Sequence, residues 1–132
     1  MPPPGISAAT NREPEEARSS SLLRPAALLL LREQDCHGYE LMGRLAELGV
    51  EVPPTTGGLY RSLRTMSDEG LLTSYWSTPE RGPARRVYVI TDRGAQCLER
   101  CMSALASRVR TERGMLERYG AGARAQRSAG SS

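Results

Sequence analysis

A chain of 132 residues has room for one domain with modest extensions. Its hydrophobic content is 39%, with no Phe and a single Trp, so the core must be aliphatic, and no apolar run approaches the roughly 18 residues needed to span a bilayer. The net charge is +3 and every basic residue is arginine; arginine grips phosphate and guanine edges bidentately, so the distribution of these charges decides whether nucleic acid is a partner.

Residues 1–20 read as a disordered arm, because Pro2, Pro3, Pro4, Gly5, Asn11, Pro14 and Ser19 to Ser21 carry no apolar periodicity. The opening Met1-Pro-Pro-Pro-Gly5 lacks the basic and apolar regions of a secretion signal, so a cytoplasmic location is expected. A first helix is predicted from Leu22 to Arg32, apolar on nearly every side, with Pro25 in its first turn where a missing N–H costs nothing. The segment Asp35-Cys36-His37-Gly38 interrupts it. A second helix runs from Gly38 to Leu48, with Tyr39, Leu41, Met42, Leu45 and Leu48 on one stripe and Gly49 as its stop. Pro53 and Pro54 forbid continuation. A third helix begins at Thr55 or Thr56, either of which can cap it, with Leu59, Tyr60, Leu63 and Met66 facing inward and Gly70 closing it.

Two strands follow, Leu71 to Ser77 and Arg86 to Thr91, rich in β-branched and aromatic residues. The loop between them, Thr78 to Arg85, is longer than a tight turn and protrudes. A final helix starts at Asp92, an expected N-cap, and reaches Tyr119. Leu98, Met102, Leu105, Val109, Leu116 and Tyr119 recur along it at alternating spacings of three and four, the pattern of a dimerisation seam, with Glu112 breaking the series. The stretch 120–132, rich in Gly, Ala, Arg and Ser, reads as a disordered tail.

The fold class is therefore mainly α with a small β-hairpin. Helix, helix, turn, helix, strand, basic loop, strand is the order of a winged helix-turn-helix over residues 21–91, followed by a dimerisation helix at 92–119. In that arrangement the third helix keeps one face on the core and offers the other to a major groove about 12 Å wide. The candidate DNA-binding residues there are Thr55, Thr56, Gly57, Gly58, Tyr60, Arg61 and Arg64, with Ser62 beside them. Gly57 and Gly58 let a phosphate approach the helix N-terminus closely, and Arg61 is the best-placed base reader. Tyr60 suits phosphate contact and partial burial equally. The loop adds Arg81, Arg85 and Arg86 against one acid, Glu80, an excess that suits phosphate or minor-groove contact.

These segments resemble the PadR-like family of regulators. His37-Gly-Tyr-Glu-Leu41 is similar to the His-Gly-Tyr-Glu segment opening the family's second helix. Thr55-Thr-Gly-Gly-Leu-Tyr-Arg-Ser-Leu63 resembles its recognition helix, and Gly82 to Gly94 resembles its wing and second strand. The likeness covers Pro25 to Cys101. Two positions depart from the pattern: Gly58 stands where Thr is usual, and Arg61 where Pro is common. The resemblance implies a dimeric repressor acting on double-stranded DNA, in its compact subgroup, with a small-molecule effector of unknown identity as a further partner.

Other readings are weaker. Cys36, Cys97 and Cys101 are odd in number, include no Cys-x-x-Cys, and accompany only one histidine, so neither a disulfide framework nor a metal site is expected. They read as small buried hydrophobes. No cofactor is implied. There is no nucleophile–base pattern and no Gly-rich phosphate loop after a strand, so enzymatic function ranks last. Trp76 reads as a strand residue covering the hairpin. The competing reading is a winged helix used for protein contact without specific DNA binding; the arginines on the third helix and loop speak for DNA.

Overall fold

The computed structural model describes the backbone of residues 15–52 and 57–130, and the side chains of 22–52 and 57–127. The elements are α1 (Glu15–Glu33), β1 (Cys36–His37), α2 (Gly38–Leu48), α3 (Gly58–Asp68), β2 (Leu72–Ser77), β3 (Arg85–Ile90) and α4 (Asp92–Gly130). The chain divides into two compact units, one ending at Leu98 and the other beginning at Glu99.

The first unit is built around α1. Leu23, Ala26, Ala27, Leu28, Leu30 and Leu31 are all buried, so this helix is the central element of the core. Leu28, Leu31, Leu41, Leu45, Leu59, Leu63 and Met66 are each less than 2% exposed. Burying a side chain of this size stabilises by about 1.5–3 kcal/mol before entropy is counted. The helices are joined by polar contacts at their ends. Arg44 of α2 donates to the Gln34 carbonyl at 3.3 Å and to the Leu30 carbonyl at 3.0 Å, which also accepts from the Gln34 N–H, and it reaches Glu33 Oε1 at 3.2 Å. Arg24 of α1 grips Glu69, just past α3, with two hydrogen bonds of 2.6 and 2.9 Å.

The sheet has three antiparallel strands in the order β1-β3-β2, one more than the hairpin expected from sequence. The extra strand is two residues long and pairs Cys36 with Tyr88 and His37 with Val87. The hairpin itself pairs Leu72 with Ile90 through Ser77 with Arg85. Cys36 is buried, and burial pushes its thiol up while the Arg44 guanidinium, 3.6 Å from its sulfur, pulls the other way.

Several sequence expectations are corrected. Helix α1 begins at Glu15 rather than Leu22, so Pro25 lies inside it. The proline withholds one N–H from the Ser21 carbonyl, and its ring is buried. On α2 only Gly38, Leu41 and Leu45 are buried; Tyr39, Met42 and Leu48 are exposed, so the apolar stripe is narrower than its spacing suggested. The cap of α4 is Thr91, not Asp92. Its Oγ1 accepts from the Gly94 N–H at 3.0 Å and donates to the Gly70 carbonyl at 2.7 Å, tying the start of α4 to the end of α3. Asp92 is a first-turn acid instead. Helix α4 does not stop at Tyr119 but continues to Gly130, replacing much of the expected tail; Ala121, Ala123, Arg124, Ala125 and Arg127 are strong helix formers that outweigh Gly120 and Gly122. Residues 1–14 of the expected arm lie outside the described residues, as do Pro53 to Thr56.

In the second unit α4 is an unbroken helix from Glu99. Met102 and Leu105 are half-buried, whereas Val109, Met115, Leu116 and Tyr119 are 41%, 66%, 71% and 77% exposed. Leu98, the first residue of the predicted seam, is buried in the protomer itself. Among the described residues no helix is long and apolar enough to cross a membrane.

Candidate nucleic-acid interface

Helix α3 has two sharply different faces. Leu59, Leu63 and Met66 are sealed in the core, and the residues between them point outward: Tyr60, Arg61 and Arg64 are all exposed. The helix enters through Gly57, whose φ of +89° is a left-handed conformation that suits glycine. Thr55 and Thr56, the caps expected from sequence, fall outside the described residues. At the observed cap position no side chain accepts a hydrogen bond, so the first-turn N–H groups of α3 have no side-chain acceptor at that residue. Gly58 is half-buried. Ser62 is turned inward and donates to the Gly58 carbonyl at 3.2 Å, which removes it from the outer face.

The wing spans the exposed residues between Ser77 and Arg85. Arg81 sits at its tip, before Gly82; Arg85 and Arg86 open β3. Arg85 is thus already in the strand, one residue earlier than expected. Arg86 is held on one face of the sheet: its Nε donates to Ser74 Oγ at 2.9 Å, and its guanidinium carbon lies 5.9 Å from the centre of the Tyr88 ring. Trp76 is paired with Arg86 across the hairpin, is 67% exposed and does not join the core.

Two clefts lie between α3 and the sheet and share Tyr60 and Arg86. One, of ≈ 540 Å³, is walled by Arg64, Ser67, Asp68, Trp76 and Tyr88 in addition to the shared pair. The other, of ≈ 330 Å³, adds His37, Gly38, Tyr39 and Arg85. Tyr60 borders both clefts. Its ring packs on Gly38, where a Cβ would approach Tyr60 Cε1 to 2.6 Å, and the residue remains half-exposed. The glycine in His37-Gly38-Tyr39-Glu40 is required by this close approach.

The structure thus brings Tyr60 and Arg64 of α3 together with Arg85 and Arg86 of β3 around the two clefts, while Arg61 is exposed on α3 outside their linings and Arg81 is on the wing. His37, Tyr39 and Trp76 were not predicted as site residues. His37 and Tyr39 belong to the recognised segment, so a signal existed; Trp76 had none beyond being the only tryptophan. Among the described residues no group of three or more His, Cys, Asp or Glu side chains could hold a metal.

A three-helix core, a short third strand and a basic hairpin beside an exposed helix face define a winged-helix protein. The model of the transcriptional regulator PadR-like family matches residues 27–100, and the chain belongs to that family. Solved structures agree. A conserved protein described as a potential transcriptional factor is 33% identical, with a TM-score of 0.65 over 81% of this chain and 92% of its own. A PadR-like transcriptional regulator from Bacillus cereus is 27% identical, with a TM-score of 0.66 over 74% and 93%. A PadR family transcriptional regulator from Eggerthella lenta is 32% identical, with a TM-score of 0.56 over 70% and 74%. No curated protein matches the sequence.

Proposed function

We propose that the protein binds double-stranded DNA sequence-specifically as a homodimer and represses transcription from an inverted-repeat operator in the cytoplasm. The observation that carries this reading is the outward face of α3, where Tyr60, Arg61 and Arg64 stand exposed beside a wing bearing Arg81, Arg85 and Arg86. In this reading Arg61 reaches base edges in the major groove, and the wing arginines contact the flanking backbone. Gly57 and Gly58 lie at the start of α3, where the helix would meet a phosphate, and Thr55 and Thr56 precede them in sequence as further candidates. The second unit supplies the partner surface: Met102, Leu105, Val109, Leu116 and Tyr119 lie along α4, and the last three are open to solvent in the protomer. A helix this long and unpaired gains most from an apolar partner. Two winged units related by a twofold axis favour half-sites about one helical turn apart.

The test is binding of the purified protein to genomic fragments at two salt concentrations, beginning with DNA upstream of its own gene. Saturable binding to one fragment in the presence of competitor DNA is expected. Arg61→Ala should then weaken binding by about 1–3 kcal/mol and relax preference at one base pair, while Arg85→Ala should weaken all sequences alike and flatten the salt slope by about 1. Weak binding to every fragment that vanishes with salt would overturn the specific-regulator reading.

A further inference from the structure

The N-terminus of α2 is closed by the ring of His37, whose Nδ1 accepts from the Glu40 backbone N–H at 3.2 Å. The ring's other nitrogen, Nε2, lies 3.2 Å from Arg85 Nη1 at the start of β3. Both neighbours are donors. A neutral imidazole carries one bare nitrogen and one N–H, so it cannot accept from both. The peptide N–H is fixed by the first turn of a helix, whereas the guanidinium rides on an exposed, flexible stem. In the tautomer that keeps the helix cap, Nδ1 offers the lone pair and Nε2 carries the proton. That leaves the Nε2–H of His37 and the N–H groups of Arg85 converging with no acceptor between them. The carboxylate of Glu40 does not fill the gap: Oε2 is 3.9 Å from Nε2, beyond hydrogen-bonding range.

These two donors open onto the ≈ 330 Å³ cleft, whose other walls are Gly38, Tyr39, Tyr60 and Arg86. Its lining residues include no carboxylate, and the nearest one, Glu40, stands at its border with Oε2 3.9 Å from His37 Nε2. Tyr39 and Tyr60 are 78% and 48% exposed, with hydroxyl groups able to donate. Tyr60 immediately precedes Arg61, so a strand whose bases face Arg61 would carry its sugar-phosphate chain past this opening.

We propose that this cleft is an anion site that clamps one phosphate of the DNA backbone, with His37 Nε2 and the Arg85 guanidinium donating to the same phosphate group. The inference rests on the DNA-binding reading and adds to it a residue outside α3 and the wing. A phosphodiester supplies acceptor oxygens and a negative charge, which is what two converging donors lack.

The discriminating variant is His37→Asn. Asparagine is a good N-cap and its Oδ1 can accept from the Glu40 N–H, but its side chain does not reach where Nε2 stands. Thermal unfolding should be unchanged. Affinity for the operator should fall roughly tenfold, the scale of one hydrogen bond to a charged group, with the salt slope kept, because a neutral donor is lost; Arg85→Gln, which removes the cation, should make the slope shallower by about 0.9, the share of one phosphate. On operators carrying a neutral methylphosphonate at one backbone position at a time, the effect of His37→Asn should disappear at a single position. Histidine ¹⁵N spectra should place the proton on Nε2 and show that resonance moving when operator DNA is added. Inorganic phosphate at matched ionic strength should neither move it comparably nor displace the DNA. If it does both, the cleft is a small-anion site and the clamp is wrong. If the wild-type protein binds DNA while His37→Asn and Arg85→Gln keep its affinity and slope, this inference fails and the DNA reading survives. If the wild-type protein binds no DNA, both fail together.

Discussion

The two units spend the same kind of residue in opposite ways. Up to Leu98, leucine is chiefly core: Leu28, Leu31, Leu41, Leu45, Leu59 and Leu63 are nearly inaccessible, and each is held by neighbours from other elements. From Glu99 onward, Leu116, Met115 and Tyr119 stand at least two-thirds exposed on a helix that continues to Gly130. Leucines that are mostly buried in the first unit thus have a bare counterpart at Leu116 in the second. The winged unit stabilises itself. The second unit leaves apolar side chains bare, and under the proposed dimer these are where a partner helix gains most.

The largest expected effect tests the self-sufficient side. Leu63 is 0% exposed at the centre of α3's inner face. Leu63→Ala should cost about 3 kcal/mol, within the range for buried leucines, through lost transfer energy and the cavity left behind. It should lower the thermal midpoint, and DNA binding should fall only as far as the folded fraction does. A shift too small to measure would mean that this core tolerates loss where its packing says it should not.

Leu116→Glu sharpens the other side. Glutamate keeps helix propensity while placing a charge on the proposed seam. Sedimentation should show the dimer giving way to monomer, and the melting of the winged unit should stay where it was. Operator affinity should fall with the loss of paired half-sites. A variant that remains dimeric would remove Leu116 from the interface, and the remaining exposed apolar residues of α4 would need another explanation.

The same contrast sets how much the sequence told. Spacing located α2, α3 and both hairpin strands, because their apolar residues are buried by period and their stops are marked by Gly49 and Gly70. The helix boundaries that failed did so for local reasons. Pro25 signals a first turn by propensity, yet its ring is buried within a longer helix, where packing outweighs one lost N–H. Strand β1 is too short to show a period at all; it exists because β3 has an edge for Cys36 and His37 to pair with. Gly120 and Gly122 suggested an end that the alanines and arginines around them override. In the site, Arg61, Arg64, Arg85 and Arg86 were readable as charge on an outer face. Trp76 was readable as a strand residue, but its place in a cleft wall was not, since alternation along a strand does not say what lies beside each face. His37 drew notice through its motif and as the single histidine, but its role depends on a nitrogen-by-nitrogen geometry that brings residues 48 positions apart together, which no local pattern encodes.

The smallest effect concerns a contact that joins the first unit at its surface. Glu69 is held by Arg24 through two hydrogen bonds, which keep its carboxyl below the ordinary carboxylate range, with the charges of Arg24 and Arg93 acting the same way against slight desolvation. A carboxyl whose folded value is depressed adds stability above its unfolded value, and that stability is lost as pH falls through the folded value. Both side chains are about 40% exposed, so solvent screens the pair. Glu69→Gln should therefore lower the melting midpoint slightly at neutral pH, and the gap between variant and wild type should close as the pH is lowered through the depressed carboxylate range. High salt should shrink the same gap at neutral pH. A gap that ignores both pH and salt would mean that Glu69 acts by shape and not by charge, and that the winged unit owes its cohesion to the buried leucines alone.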